Sequence, residues 1–235
     1  MSRKGPSCVA ELAVTFILAL SKDLLIAHRS VAEGAYKFRG LVPVSTSQTA
    51  MAFRWMEHVT LDEVKGRTLG IVGMGEIGCE LAKRAGVLGM HIVYYKRHRL
   101  PFELEADLSV EYVSFLELLS TSDYVCLAVP HTSDTEGLIG PAEFGAMRST
   151  AYLINVCRGG VVDEAALIDA LKTRRIRGAA LDVFRLEPLP ADSELCRLDN
   201  VILTPHIGGG TGSSRVTELR DTIQACSRAL ARSPN

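Results

Sequence analysis

Thr68-Leu69-Gly70-Ile71-Val72-Gly73-Met74-Gly75-Glu76-Ile77-Gly78 decides the fold. An apolar run, Thr68 to Val72, leads into a glycine fingerprint, and the fingerprint opens a helix-like segment that reaches Leu88. G-x-G-x-x-G between a strand and a helix is the context of a dinucleotide-binding βαβ unit. Gly73 permits the tight turn, Gly75 lets the backbone approach a pyrophosphate, and Gly78 lets helix and strand pack closely. Glu76 and Ile77 complete the cradle. Free N–H groups and the helix dipole at this N-terminus favour an anion. Glu76 must therefore point its carboxylate away from the phosphates.

Outward from the fingerprint, strand and helix patterns alternate. Strand-like runs are Thr68–Val72, His91–Tyr95, Tyr124–Val129, Ala151–Val156, Gly178–Val183 and Val201–Leu203. Helix-like runs are Glu76–Leu88, Ser114–Leu119, Ala142–Met147, Asp163–Thr173 and Gly212–Ala231. Short apolar strands alternating with helices predict an α/β, doubly wound parallel sheet of the Rossmann type. Ligands of such sheets sit at the carboxyl ends of the strands. The expected organisation is a linking or interface helix over 1–30, an irregular arm over 31–65, a dinucleotide-binding domain over 66–210 and a C-terminal helix over 211–235. Val9 to Leu20 is strongly apolar but broken by Glu11 and Thr15, too short to span a bilayer, and without a signal-peptide cleavage site. It reads as a buried or interface helix running on to about Ala27, and a helix apolar nearly all round must pack on several neighbours. Exposure of Phe16, Ile17 and Leu20 would be unfavourable, so this helix is expected to contribute to an interface.

The 235 residues are 47% hydrophobic, enough for one large α/β domain, and the net charge is −1 with Lys and Arg spread along the chain. Neither a nucleic-acid partner nor a membrane surface is expected. Cys8, Cys79, Cys126, Cys157, Cys196 and Cys226 lack C-x-x-C spacing. They read as thiols of a reducing, cytoplasmic compartment and not as a disulfide framework or metal site.

An NAD site wants an acidic residue about 20 positions beyond the fingerprint, to hold the ribose hydroxyls. Here the second strand ends in Tyr94-Tyr95-Lys96-Arg97-His98-Arg99. A cationic cluster attracts a 2′-phosphate that a carboxylate would repel. Lys96 and Arg97 therefore predict NADP, with NAD as the alternative; a solvated basic loop is the bland reading.

Three later segments carry chemistry: Ile154-Asn155-Val156-Cys157-Arg158-Gly159-Gly160, Leu181-Asp182-Val183-Phe184-Arg185-Leu186-Glu187-Pro188 and Leu203-Thr204-Pro205-His206-Ile207-Gly208. These segments resemble those of the D-isomer-specific 2-hydroxyacid dehydrogenases, and the reaction this resemblance implies, reduction of a 2-keto acid, needs a proton for the developing alkoxide and a cation for the carboxylate. His206 suits the first task and Arg158 the second. Glu187 can hydrogen-bond the imidazole, fix its tautomer and raise its pKa. A surface cation and a loop carboxylate are the bland readings of Arg158 and Glu187. Asp163 and Glu164 read as carboxylates of a helix start.

In this order, behind the fingerprint, the segments resemble the D-isomer-specific 2-hydroxyacid dehydrogenases, from about Val9 to the C-terminus. The resemblance implies hydride transfer between NAD(P)H and a small 2-keto or 2-hydroxy acid such as glyoxylate or hydroxypyruvate, and a homodimer. It implies that Asp182 holds the nicotinamide carboxamide and that Pro130 and Thr135 line the adenosine side. Cys157 and Gly208 join the cofactor set. Arg185-Leu186 depart from the family's usual Glu-Pro. The family also builds a substrate domain, typically roughly 100 residues in a domain of this kind, mainly from chain preceding a helix like Val9–Ala27, and that lobe is expected to be largely absent here. Three readings follow: a dehydrogenase, whole or truncated; a catalytically weak dinucleotide-binding module acting as a redox sensor or protein partner; and an incomplete gene product.

Overall fold

The computed structural model describes residues 5–49 and 61–210, with positions 216, 219, 220, 223 and 224. Its centre is a seven-stranded sheet in the order β3-β2-β1-β4-β5-β6-β7, every pairing parallel. The strands are β1 (Thr68–Val72), β2 (His91–Tyr95), β3 (Val110–Tyr112), β4 (Tyr124–Leu127), β5 (Tyr152–Asn155), β6 (Gly178–Leu181) and β7 (Val201–Leu203). The strand order reverses between β1 and β4, which opens a crevice at their carboxyl ends. Six of the strands are those the apolar runs predict. The seventh, β3, has only three residues at the sheet edge, with a single buried side chain, and carries too little periodicity to be read.

Two hydrophobic layers hold the sheet. On one face α1 (Gly5–Ser21) and α3 (Glu76–Val87) pack over β1, β4 and β5, with Phe16, Ile17, Leu81, Ile71 and Ile154 in one cluster. On the other, α5 (Phe115–Thr121), α6 (Pro141–Ala146) and α7 (Glu164–Lys172) cover Val125, Leu127 and Leu153. Between them in sequence lie α2 (Leu24–Ala32) and α4 (Phe102–Leu108). Near-continuous burial of β4, β5 and β6 follows from having helices on both faces. Ser114 caps α5 by accepting from the Glu117 N–H at 3.2 Å, and Asp163 caps α7 by accepting from Ala165 and Ala166. Asp163 and Glu164 thus have the helix-start role expected of them.

The N-terminal helix differs from its expectation in length and takes the buried one of its two expected placements. It does not run through to Ala27: the Ser21 hydroxyl donates back to the Leu18 carbonyl, Asp23 takes a left-handed conformation (φ 46°), and a separate α2 follows. Phe16, Ile17 and Leu20 are all buried in the chain's own core, so these three side chains are not available to the interface that is the other expectation. Burial of each contributes about 1.5–3 kcal/mol, and α1 is therefore part of the sheet domain. The exposed apolar residues lie further on, at Leu24, Leu25 and Ile26 of α2 and at Phe38, Val42 and Val44. The arm is a 3-10 turn, Ala35–Arg39, followed by chain without regular structure to residue 49. Its remainder to residue 60, and most of the helix expected over 211–235, lie outside the described residues.

Candidate active site

The glycine fingerprint forms as its sequence requires. Gly73 has φ 99°, and a Cβ there would lie 2.6 Å from the Ala128 carbonyl oxygen; a Cβ on Gly78 would lie 2.5 Å from the Gly73 oxygen. Gly75 is different: nothing lies within 4 Å of where its Cβ would be. The open space in front of Gly75 is the place a pyrophosphate needs for a close backbone approach, so the residues present fit a dinucleotide. Glu76 is exposed at the start of α3. With Gly75, Ile77, Pro130, Cys157, Asp182 and Val9 of α1 it lines a cleft of about 870 Å³. Arg158 and His206 line the same cleft.

Asn155, at the end of β5, builds the Arg158 turn. Its buried amide donates to the Arg158 carbonyl at 3.1 Å and accepts from the Cys157 N–H at 3.1 Å. The turn leaves Cys157 buried and Arg158 exposed, with one guanidinium N–H on the Cys157 carbonyl at 2.6 Å. Burial pushes the Cys157 thiol up to about 11, so it stays protonated and serves as a wall. Gly159 lets this turn press against the next one, since a Cβ there would overlap the Phe184 carbonyl group.

Asp182, at the end of β6, is buried and organises the His206 turn. Its Oδ1 accepts from the Thr204 hydroxyl at 2.6 Å and the Ile207 N–H at 2.9 Å, and its Oδ2 accepts from the Gly208 N–H at 2.8 Å. These bonds hold His206 in a left-handed conformation with φ 55°. The carboxylate is thus committed chiefly to the loop; Oδ2, with a single bond, retains acceptor capacity, and Asp182 lines the cleft. Gly208 is buried, and a Cβ there would come within 3.0 Å of Asp182 Oδ2.

Glu187 reaches His206 despite the Arg185-Leu186 departure. Its Oε2 lies 2.7 Å from His206 Nδ1, and its Oε1 accepts from the Phe184 N–H at 3.1 Å. The hydrogen bond from His206 holds the Glu187 carboxyl below the ordinary carboxylate value; the Phe184 N–H and the charges of His206 and Arg158 assist, and burial opposes. An ionised Glu187 fixes the proton on Nδ1 and leaves Nε2 to serve the cavity. Arg158, Glu187 and His206 all line one cavity of about 480 Å³, so the structure brings the expected trio together.

His131, Glu136 and Arg185 line that cavity too, and sequence reasoning missed them. Glu136 pairs with His131 and accepts from Arg185 at 3.0 Å, which ties the turn after β4 to the turn after β6. The placement of His131 directly after Pro130, in a strand-end turn, was the available signal. Asn155 and Thr204 were also missed, since a residue that builds a turn carries no chemical signature.

On the adenosine side the picture is more divided. The Thr135 hydroxyl donates to the Pro130 carbonyl at 2.6 Å and accepts from the Thr132 N–H at 2.8 Å. Thr135 therefore closes its own loop, and only Pro130 of the pair lines the cleft. Arg99 is committed elsewhere: its fork holds Glu105 at 2.8 and 2.7 Å, and the Tyr94 hydroxyl donates to the same carboxylate at 2.5 Å. Arg97 pairs with Asp134 at 3.1 Å. Lys96 makes no ion pair among the described residues; its charge reaches Cys79 in the first turn of α3.

Residues 14–208 match the family described as D-isomer specific 2-hydroxyacid dehydrogenase, NAD binding domain. The chain belongs to this family. It is 42% identical over 206 residues to a glyoxylate reductase of Korarchaeum cryptofilum, covering 88% of this chain and 58% of that one. A solved glyoxylate reductase from Paecilomyes thermophila superposes with a TM-score of 0.77 at 31% identity, covering 93% of this chain and 60% of the other. An acyclic imino acid reductase, solved with NADPH and D-Arg, superposes with a TM-score of 0.78 at 26% identity, covering 99% and 67%. The chain thus spans somewhat under two thirds of the length of the glyoxylate reductases it matches. Among the described residues no helix is long and apolar enough to cross a membrane.

Proposed function

We propose that this chain carries the cofactor site and the acid–base machinery of an NAD(P)-dependent D-2-hydroxyacid dehydrogenase acting on a small 2-keto acid such as glyoxylate or hydroxypyruvate. The observation that carries the reading is the 2.7 Å bond from His206 to Glu187, formed in a cavity that Arg158 also lines. Gly73–Gly78, Pro130, Cys157, Asp182 and Gly208 would hold the dinucleotide, with Lys96 and Arg97 towards its adenosine end. A bound nicotinamide supplies the hydride. Arg158 holds the substrate carboxylate through its fork, after releasing the Cys157 carbonyl. His206 donates its Nε2 proton to the developing alkoxide, and Glu187 stabilises the imidazolium beforehand. Lys96 and Arg97 favour NADP(H), as does the likeness to a reductase solved with NADPH.

A second reading, a dinucleotide-binding module of weak turnover, draws support from exposure. The His206 side chain is 41% exposed and that of Glu187 36%, and water in the site weakens every electrostatic contact there. The two readings separate in one experiment, NADPH oxidation with glyoxylate by this chain and by His206→Ala. A loss of at least about 100-fold supports the dehydrogenase; equal rates with tight NADPH binding favour the module. The exposed apolar side chains of α2 and of residues 38–44 support a homodimer, which a stable monomer in light scattering would exclude. The free thiols at 8, 79, 126, 157 and 196 fit a cytoplasmic setting.

A further inference from the structure

Strand β1 lies between β2 and β4, so the turns after β2 and β4 flank the fingerprint turn. One contact joins these flanking turns directly. Arg97 Nη1, two residues beyond β2, meets Asp134 Oδ2 of the 130–137 turn at 3.1 Å. The bridge joins the turns on either side of β1, and Arg97 lies about 20 positions beyond the fingerprint, where the residue that meets the adenosine ribose stands in such folds. It also occupies a guanidinium N–H that a 2′-phosphate would use. Of the other cations here, Arg99 is locked by Glu105 and only Lys96 stands without an ion pair among the described residues.

We propose that Asp134 is a specificity-determining residue: it holds Arg97 across the adenosine subsite, and a dinucleotide with a 2′-phosphate must exchange the Asp134 carboxylate for its own phosphate. This rests on the placement of the adenosine end given above. A cofactor with free ribose hydroxyls leaves the bridge intact. The carboxylate also repels a 2′-phosphate brought close to it. Asp134 therefore offsets part of the attraction of Lys96 and Arg97, and the unmodified chain discriminates only modestly between NADPH and NADH. The Arg97 and Asp134 side chains are 74% and 68% exposed, so the effect is bounded by what such pairs are worth, up to about fivefold in an equilibrium constant. Relief of the repulsion adds to it, and both contributions weaken with salt.

Calorimetry with 2′,5′-ADP and with 5′-AMP at low ionic strength tests this without any turnover. Asp134→Asn should tighten 2′,5′-ADP by about threefold to tenfold and leave 5′-AMP within about twofold. In an Arg97→Gln background the gain from Asp134→Asn should shrink, since the bridge no longer exists. An unchanged affinity ratio in Asp134→Asn overturns the proposal. Equal weakening of both probes also overturns it, by making Asp134 a support for its own turn. If the parent shows no preference for 2′,5′-ADP while Asp134→Asn gains one, the NADP reading fails and the role of Asp134 stands.

Discussion

Replacing Asp182 by alanine should be among the most damaging single changes in the chain. The side chain is 2% exposed and accepts three hydrogen bonds, from Thr204, Ile207 and Gly208. Hydrogen bonds to a charged acceptor contribute about 1.5–3 kcal/mol each, and a buried donor left alone costs about 1–3 kcal/mol. The three are not additive, because the 204–208 turn can relax towards water once released. A net loss of about 3–4 kcal/mol is expected, close to the upper limit seen for point substitutions. Asp182→Asn keeps one oxygen for Thr204 and Ile207 but turns an amide NH₂ towards the Gly208 N–H. It should lose less, about 1–3 kcal/mol. Urea unfolding followed by circular dichroism reads both. With a slope of about 1–3 kcal/mol per molar, the alanine midpoint should fall by at least about 1 M. Should Asp182→Ala unfold within about 0.5 kcal/mol of the parent, as surface substitutions do, the carboxylate would not be what holds the His206 turn.

Gly75→Ala meets no atom within 4 Å at a negative φ of −95°, so it should leave the unfolding midpoint unchanged while weakening NADPH binding at least about tenfold; equal binding would place the pyrophosphate elsewhere. Glu187 has a folded-state pKa below its ordinary value of 4.5. Its contribution to stability is therefore complete above that value and disappears as pH falls through the depressed one. The stability difference between parent and Glu187→Gln, measured from pH 7 down to pH 3, should shrink on the acid side; a difference that grows there would contradict the assignment. Burial raises the pKa of both Cys126 and Cys157, the latter to about 11, whereas Cys196 is exposed. A thiol reagent at pH 8 should label Cys196 at once and the other two only after unfolding, and mass mapping of labelled peptides decides it.

Strands β1, β4, β5 and β6 were legible because they are buried on both faces and read as near-continuous apolar runs. β1, β2 and β7 fall on the residues the sequence indicates, while β4, β5 and β6 end one or two residues early. At those ends Asn155 and Asp182 turn their polar groups into the following loops. The break between α1 and α2 was hidden because Asp23 is tolerated in the left-handed region, as Asn and Asp often are, without a glycine to mark it. The placement of Arg158, Glu187 and His206 was legible, each standing at a strand end or in the turn beyond it. Their supports were not: whether Glu136 bridges His131 and Arg185 depends on residues up to 54 positions apart in sequence, from His131 to Arg185. The same holds for the basic turn after β2, where composition shows three cations but not that Glu105 and Asp134 engage two of them.

The burial of α1 also bears on how the chain is made. Ribosomes deliver α1 before every strand it packs on, and its partners extend to β5 and β6. At about 5–20 residues per second, some 160 residues must follow before β6 is available, a wait of about 10–30 s. α3 is delivered earlier, but until β5 and β6 follow, Phe16, Ile17 and Leu20 lack their full set of partners. An apolar helix made before its partners is a natural client for a chaperone during synthesis. The nascent chain should be most prone to aggregation until β6 has been delivered.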